Sequence, residues 1–367
     1  MTVPAGPARP RRRLLDRLFR SAVVLVPVGV LANLWWTWYA TDHGVFGQLG
    51  RLPRQYLLLA LALGLVPWIT NTTRVWLWVR FMGVPLGWRD TLGVTLGAEL
   101  AGSVVPTASG SEVMRWGMLV QKGVPQGKAI SIVTLGWLQD SLFFALAIPA
   151  AVVLSRAWEL PALRAVGSQA RGRATLILVA AVAVLFALRL AWGAVLIGRL
   201  GEGPRRRGLR WTARTRRRLG RTLADVREVR RLVVARGKRL FLLIWLITAV
   251  QWSCRYSVVT ALAYFLAPQA QVDPVLFFLL QWVVFTAMNF VPTPGASGGA
   301  EAAFVLVYSA LLPASVIGIA TAGWRFLTFY VQLALGAVIF TSLNVADARR
   351  ASLLRRRAPA TAPGGGA

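Results

Sequence analysis

The chain has 367 residues, of which 56% are apolar and 15% charged, yet it carries 42 Lys and Arg against 13 Asp and Glu, a net charge of +29. A mean hydropathy of +0.58 beside a pI near 11.9 reconciles in one arrangement: long apolar segments lie in lipid, and the positive charge crowds into loops on one side of it. This excludes an ordinary soluble enzyme and argues against nucleic acid as a partner, because so apolar a chain has to be buried somewhere.

A membrane-spanning helix needs about 20 mostly apolar residues. The first candidate is 21–39, preceded by a basic, Pro-rich head with Arg9, Arg11, Arg12, Arg13, Arg17 and Arg20. Its apolar stretch is too long for a signal peptide and no small-residue cleavage site follows, so it reads as a retained first helix. Full-length candidates follow at 56–81, 129–154, 175–198, 240–266 and 315–345. Two further apolar regions, 91–120 and 274–312, are interrupted by VPTASGS and VPTPGASGG respectively. Breaks rich in Pro, Gly, Ser and Thr free backbone groups from helical bonds, and in lipid such groups must be buried in protein or line a wet cavity. The spacing predicts a re-entrant helical hairpin or a discontinuous helix in each region.

Charge in the loops chooses between those two. The basic head places the N-terminus in the cytoplasm. If the broken regions are hairpins, the segments 121–128 and 199–239 and the tail with Arg349, Arg350 and Arg355 all lie inside. If each region crossed once, 199–239 would lie outside with 16 Lys and Arg against three acids, a strong violation of the positive-inside rule. The hairpin topology places Arg156, Arg164, Arg171 and Arg173 outside, a smaller conflict. Within 199–239, Leu219, Leu223, Val226 and Val233 follow a helical stripe with arginines opposite, which predicts a surface helix on anionic headgroups; a solvated basic loop is the simpler alternative. The expected organisation is a cytoplasmic head (1–20), one membrane domain (21–345) and a disordered basic tail (346–367).

The membrane domain contains a weak duplication, with repeat one at about 56–155 and repeat two at about 240–345. Arg74 precedes the first break and Arg255 the second; each break carries V-P-T and ends in a glutamate, Glu112 or Glu301; then come Thr134-Leu135-Gly136-Trp137 and Thr321-Ala322-Gly323-Trp324. In the hairpin topology the two units are inverted, and inverted repeats with broken helices meeting near the midplane are a transporter architecture. The fold class expected is therefore an all-α multi-pass membrane protein of about six full spans plus two re-entrant hairpins.

Charges inside a membrane are costly and usually functional. The inventory is Glu99, Glu112, Arg115, Asp140, Arg189, Arg255, Glu301 and Arg325. Glu112 and Glu301 each open the second limb of a hairpin, where a carboxylate meets unpaired N–H groups; a helix cap alone, or a cap with an ion or substrate role, both fit. Arg115, one turn from Glu112, either pairs with it or reaches a lipid phosphate. Arg325 needs a partner, with Glu301 or a phosphate available. Asp140 serves as a proton relay or pairs with Arg74 or Arg115. Arg189, Arg74, Arg80 and Arg255 read as snorkelling side chains, and the tryptophans, Trp78 and Trp252 among them, as interfacial belt. The chain's one cysteine, Cys254, and one histidine, His43, leave no internal disulfide, usual zinc site or His-based triad, so no metal or cofactor is expected.

From Asn289 onward the chain resembles the second signature of the lysylphosphatidylglycerol synthase transmembrane (flippase-like) family, N-x-x-P-x-P-G-x-x-G-x-x-E followed by a mid-helix arginine. Asn289, Pro292, Pro294, Gly295, Gly298, Glu301 and Arg325 match. The first signature, P-x-x-x-G-E-x-x-R, is met by Pro106, Gly110, Glu112 and Arg115 with Ser111 inserted, and Asp140 fits the acid of a downstream R-x-x-D. The chain departs from the pattern at Trp137, which stands in the arginine's place, and at 101–103, which lack an asparagine. The resemblance covers roughly 15–345 and implies a domain that translocates phospholipids, such as aminoacylated phosphatidylglycerol, between leaflets. In the full-length synthases that domain is fused to a soluble acyltransferase-like domain; this chain ends about 20 residues after its last span, so a stand-alone member is expected.

The function expected is thus a non-enzymatic flippase-like transporter in the cell membrane. Glu112, Arg115, Asp140, Asn289, Glu301 and Arg325 would meet the lipid headgroup, and Pro106, Gly110, Pro292, Pro294, Gly295 and Gly298 would break the hairpins. The expected partners are a phospholipid substrate, anionic headgroups at 199–239, and a second copy or a separate lipid-modifying enzyme. The competing readings are an intramembrane enzyme or accessory subunit acting on a lipid-linked substrate, and a structural partner docked through the basic segment.

Overall fold

The computed structural model describes residues 53–104, 110–156, 213–270, 272–291 and 293–357. The candidate spans at 21–39 and 175–198, the head, Arg189, Pro106 and Pro292 lie outside the described residues. Every regular element within them is helical: α1 (Arg54–Phe81), α2 (Trp88–Val104), α3 (Gly110–Gln121), α4 (Gln126–Leu154), α5 (Ala213–Arg236), α6 (Lys238–Leu266), α7 (Pro274–Met288), α8 (Gly299–Tyr308), α9 (Ala314–Arg325) and α10 (Val331–Arg357). A single π-helical stretch, Phe326–Tyr330, joins α9 to α10. Among the described residues, four helices are long and apolar enough to cross a bilayer: Arg54–Phe81, Gln126–Leu154, Lys238–Leu266 and Ala314–Leu343. These are the expected spans within the described residues.

The two interrupted regions are hairpins. Limbs α2 and α3, of 17 and 12 residues, reach about 26 and 18 Å at the helical rise, short of an apolar core of about 30 Å. They run antiparallel, since Gly97 faces Met118 while Gly102 faces Ser111. Limbs α7 and α8, of 15 and 10 residues, do the same: the Phe277 and Tyr308 rings lie 5.2 Å apart, and Gly299 lies against Val291. The chain therefore returns to the end it left, which removes the single-crossing alternative.

The repeats are inverted. Their first helices, α1 and α6, pack along each other in opposite directions. Tyr56 meets Tyr264 with ring centroids 5.4 Å apart, Arg74 meets Gln251, and Trp78 meets Phe241. The remaining packing is reciprocal: α4 of repeat one lies on α7 of repeat two, and α10 of repeat two lies on α2 of repeat one.

Polar chemistry sits between two apolar ends. Along α1 the order is Ala60 in one core cluster, then a cavity-lining stretch from Trp68 to Trp78, then Val79 and Met82 in a second cluster. Along α6 the order reverses, with Ile244 in the second cluster, Gln251 to Tyr256 on the cavity, and Val258 to Ala267 in the first.

Two expectations change. α5 is the expected helix, and part of its apolar side faces protein: Val229 is buried in the cluster that holds Val75, Trp78 and Met82, and Val233 packs on the same cluster, while the Leu219 and Leu223 side chains lie outside the described residues. Gly127 in α4 lets the backbone of Thr222 and the side chain of Asp225 approach, a space that a Cβ would fill. A helical stripe fits a protein groove and a lipid surface equally well, so the sequence alone does not say what covers it. At the C-terminus α10 runs on to Arg357, so residues 346–357 extend a helix that had been expected to end by 345.

Candidate functional site

Local chemistry builds the hairpin tips. α7 starts at Asp273, whose Oδ1 accepts from the N–H groups of Val275 and Leu276, with Pro274 at the first helical position. It ends at Asn289, an exposed side chain whose Nδ2 donates to the Phe285 carbonyl. The tip then turns through Pro294–Ala296, where Gly295 has φ 60° and Ala296 φ 56°. Gly298, at φ 84°, is the N-cap of α8, a conformation in which a side chain is disfavoured. Its N–H donates to Glu301 Oε2 at 2.7 Å, so Glu301 is a cap.

Glu301 is also more than a cap. Its other oxygen accepts from Arg325 Nε at 2.8 Å, and Arg325 Nη2 donates to the Gly295 carbonyl at 2.8 Å. Arg325 is 1% exposed and its guanidinium lies 4.7 Å from the centre of the Phe329 ring. One arginine from the last span therefore ties both sides of the second hairpin tip. Immediately after it comes the π-helical stretch, a departure from α-helix that recurs at functional sites.

The first tip carries a matching pair. Arg115 Nη1 donates to Glu112 Oε1 at 2.7 Å across one turn of α3, and Arg115 is 8% exposed. Gly110 opens α3. A third pair joins the first spans of the fold. Arg74, 4% exposed, places Nη2 2.8 Å from Asp140 Oδ1 and donates to Gln251 Oε1 and the Gly136 carbonyl. Asp140 also accepts from Trp252 Nε1 at 3.0 Å.

These groups surround one cavity of about 460 Å³. Glu112, Arg115, Asp140, Asn289, Gly295 and Arg325 line it, and Glu301 stands behind Arg325 as its ion-pair partner. Residues of both tips lie on its wall, Gly102, Ser103 and Ser111 from the first and Val291, Thr293 and Gly295 from the second. Pro294 begins the second tip's turn.

Sequence reasoning missed several members. Arg74 does not snorkel: it is buried and paired with Asp140, the alternative that the sequence had offered for that acid. Arg255 does not snorkel either, but lines the cavity with its guanidinium against the Phe285 and Trp252 rings, 5.1 and 5.9 Å from their centres. Trp78, 1% exposed, donates weakly to Gln139, and Trp252 lines the cavity; neither belongs to an interfacial belt. Asn71 Nδ2 donates to Glu99 Oε1 at 3.2 Å on the same wall. A signal existed: Asn71, Arg74 and Trp78 share one face at i, i+3 and i+7, and Gln251 and Arg255 share another at i and i+4.

Comparison with known proteins places the chain. The profile of the lysylphosphatidylglycerol synthase TM region matches residues 18–336. A UPF0104 membrane protein from Archaeoglobus fulgidus is 22% identical over 327 residues, which cover 86% of this chain and 94% of the relative.

Proposed function

This multi-pass membrane protein belongs to the lysylphosphatidylglycerol synthase transmembrane family, and on that premise we propose that it carries a phospholipid or lipid-linked headgroup between leaflets. The observation that carries the reading is the 460 Å³ polar cavity held between the tips of two inverted hairpins. A headgroup crossing hydrocarbon pays the desolvation of its charge. A cavity with charged and amide walls replaces that water, while the acyl chains remain in lipid. The buried pairs Arg325–Glu301 and Arg74–Asp140 keep the walls in place, and rocking of one repeat against the other exposes the cavity to each leaflet in turn.

The same reading makes the protein non-catalytic and puts it in the cell membrane, with the end bearing α5 and both termini in the cytoplasm, as the charge bias requires. The exposed arginines of α5, among them Arg227, Arg230 and Arg231, face anionic headgroups while the opposite side of α5 packs on α4 and α6. A second copy of the chain or a lipid-modifying enzyme is the partner that would supply or receive the lipid.

The test is a leaflet-asymmetry assay. Purified protein is reconstituted into vesicles with a fluorescent phospholipid, and a membrane-impermeant quencher reports the fraction in the outer leaflet over time. Transport predicts a rate above that of protein-free vesicles, reduced by Glu301→Gln and by Arg325→Ala. A protein that only scaffolds an enzyme, or modifies a lipid-linked substrate, leaves the label in its original leaflet. Wild-type rates in both variants would overturn the cavity mechanism.

A further inference from the structure

Three of the four cavity arginines are already engaged: Arg74 with Asp140, Arg115 with Glu112 and Arg325 with Glu301. Arg255 is the exception. Among the described residues it forms no hydrogen bond and no ion pair; its contacts are the faces of Phe285 and Trp252. Ring contacts of this kind use none of the N–H donors, which leaves the edge of the guanidinium that carries them free. Glu99 lines the same cavity. The two do not close an ion pair. Glu99 instead accepts from Asn71. An arginine set in a cavity wall with unused donors and no carboxylate bonded to it is an anion receptor left open.

We infer that Arg255 is the phosphate-binding residue of this cavity, taking a phosphate oxyanion on its free edge, and that Glu99 opposes it by competing for the guanidinium and repelling the anion. The inference rests on the carrier reading for its setting. The residue lies outside both signature motifs, whose arginines are each already paired with a carboxylate, Arg115 with Glu112 and Arg325 with Glu301. A phosphodiester of a lipid headgroup and free phosphate share the chemistry, and the Glu99 carboxylate adds a site for a cation on the same ligand.

The experiment is equilibrium binding, read by native mass spectrometry of the full chain in detergent. The probes are dioleoyl phosphatidylglycerol, dioleoylglycerol as the phosphate-free control, and inorganic phosphate as competitor. Wild type is expected to retain the phospholipid and not the diacylglycerol. Displacement by inorganic phosphate assigns the oxyanion alone as the ligand; retention of only the lipid assigns the headgroup. Arg255→Gln is expected to weaken binding by at least about tenfold, the scale of a lost charge-assisted hydrogen bond, and Arg255→Lys to restore part of it. Glu99→Gln is expected to tighten binding severalfold, a gain that misfolding does not produce.

No phospholipid retention by wild type, binding by Arg255→Gln within twofold of wild type, or loss of binding in Glu99→Gln would each overturn the inference. Because binding is measured apart from translocation, the two readings fail separately. Lipid moved in vesicles with Arg255→Gln at full affinity sinks this inference alone. Phosphate bound through Arg255 with no lipid moved sinks the carrier alone.

Discussion

Arg325 donates from Nε to Glu301 Oε1 at 2.8 Å, and the same carboxylate caps α8 through the Gly298 N–H. The pair is thus a splint between the last span and the second hairpin tip, with the Gly295 carbonyl as its third attachment. Removing one partner of a buried pair strands the other, which in soluble proteins costs about 3–5 kcal/mol. Arg325→Ala is expected to lower the thermal unfolding midpoint of the detergent-solubilised protein strongly. Arg325→Lys should lower it less, because a lysine restores the charge without the fork that serves Glu301 and Gly295 together. Equal midpoints for wild type and Arg325→Ala would show that the splint carries no stability.

Arg74 and Asp140 make the corresponding link in repeat one, but with a different geometry, because Gln251 of repeat two shares the guanidinium. The pair is a bridge between repeats as well as within one. A double-mutant cycle of Arg74→Gln and Asp140→Asn, read from unfolding midpoints and transport rates, is expected to show coupling of about 1–3 kcal/mol. Additive effects would mean that Asp140 is held by Trp252 alone. Gln251→Leu is expected to slow transport more than it lowers stability if the inter-repeat bond matters to rocking.

Much of this was legible in the primary structure, for reasons that also explain what was not. Span length and Pro/Gly breaks are one-dimensional signals, so α1, α4, α6, the α9–α10 span and both hairpins could be read directly. Glu301 and Arg325 fall within one signature and lie close along one repeat, so their pairing was among the options. Arg74 was open to two readings, snorkelling or pairing with Asp140, because hydropathy gives a charge's depth but not the direction it faces; the pairing is the one formed. Its partner Gln251 is 177 residues away, and only the antiparallel packing of α1 on α6 brings them together. Trp252 was placed in a belt on composition, whereas its indole N–H serves Asp140. The α5 stripe shows the same limit, since amphipathicity does not say whether lipid or the Val75–Trp78–Val229 cluster covers the apolar face.

The first hairpin depends on close approach at its tip. A Cβ on Gly102 would come within 2.7 Å of the Ser111 side chain and 2.8 Å of its backbone, distances at which backbone has to move. Gly102→Ala is expected to splay α2 from α3 and displace Glu112 and Arg115 together, costing about 1–3 kcal/mol as overpacking does. Transport should fall in step. A second change, Gly117→Ala, meets no neighbouring atom and is the control; it should leave both quantities unchanged. A wild-type midpoint for Gly102→Ala would show that the hairpin tip is looser than its geometry.

The inverted arrangement makes a prediction about sides. α1, both hairpins, α4 and α6 place the ends bearing Lys122 and α5 together, and the loop after α6 at the opposite end. Since Cys254 is the chain's one cysteine, Cys254→Ser gives a thiol-free background for single cysteines. Gly220→Cys, on the exposed side of α5, and Ala270→Cys, in the turn after α6, are expected to label from opposite faces of the membrane with an impermeant maleimide. In intact cells Ala270→Cys should label and Gly220→Cys should label only after permeabilisation, because 16 Lys and Arg flank it in 199–239 and such segments stay on the cytoplasmic side. Labelling of both from one face would sink the inverted topology, and with it the argument that the two hairpin tips reach their cavity from opposite leaflets.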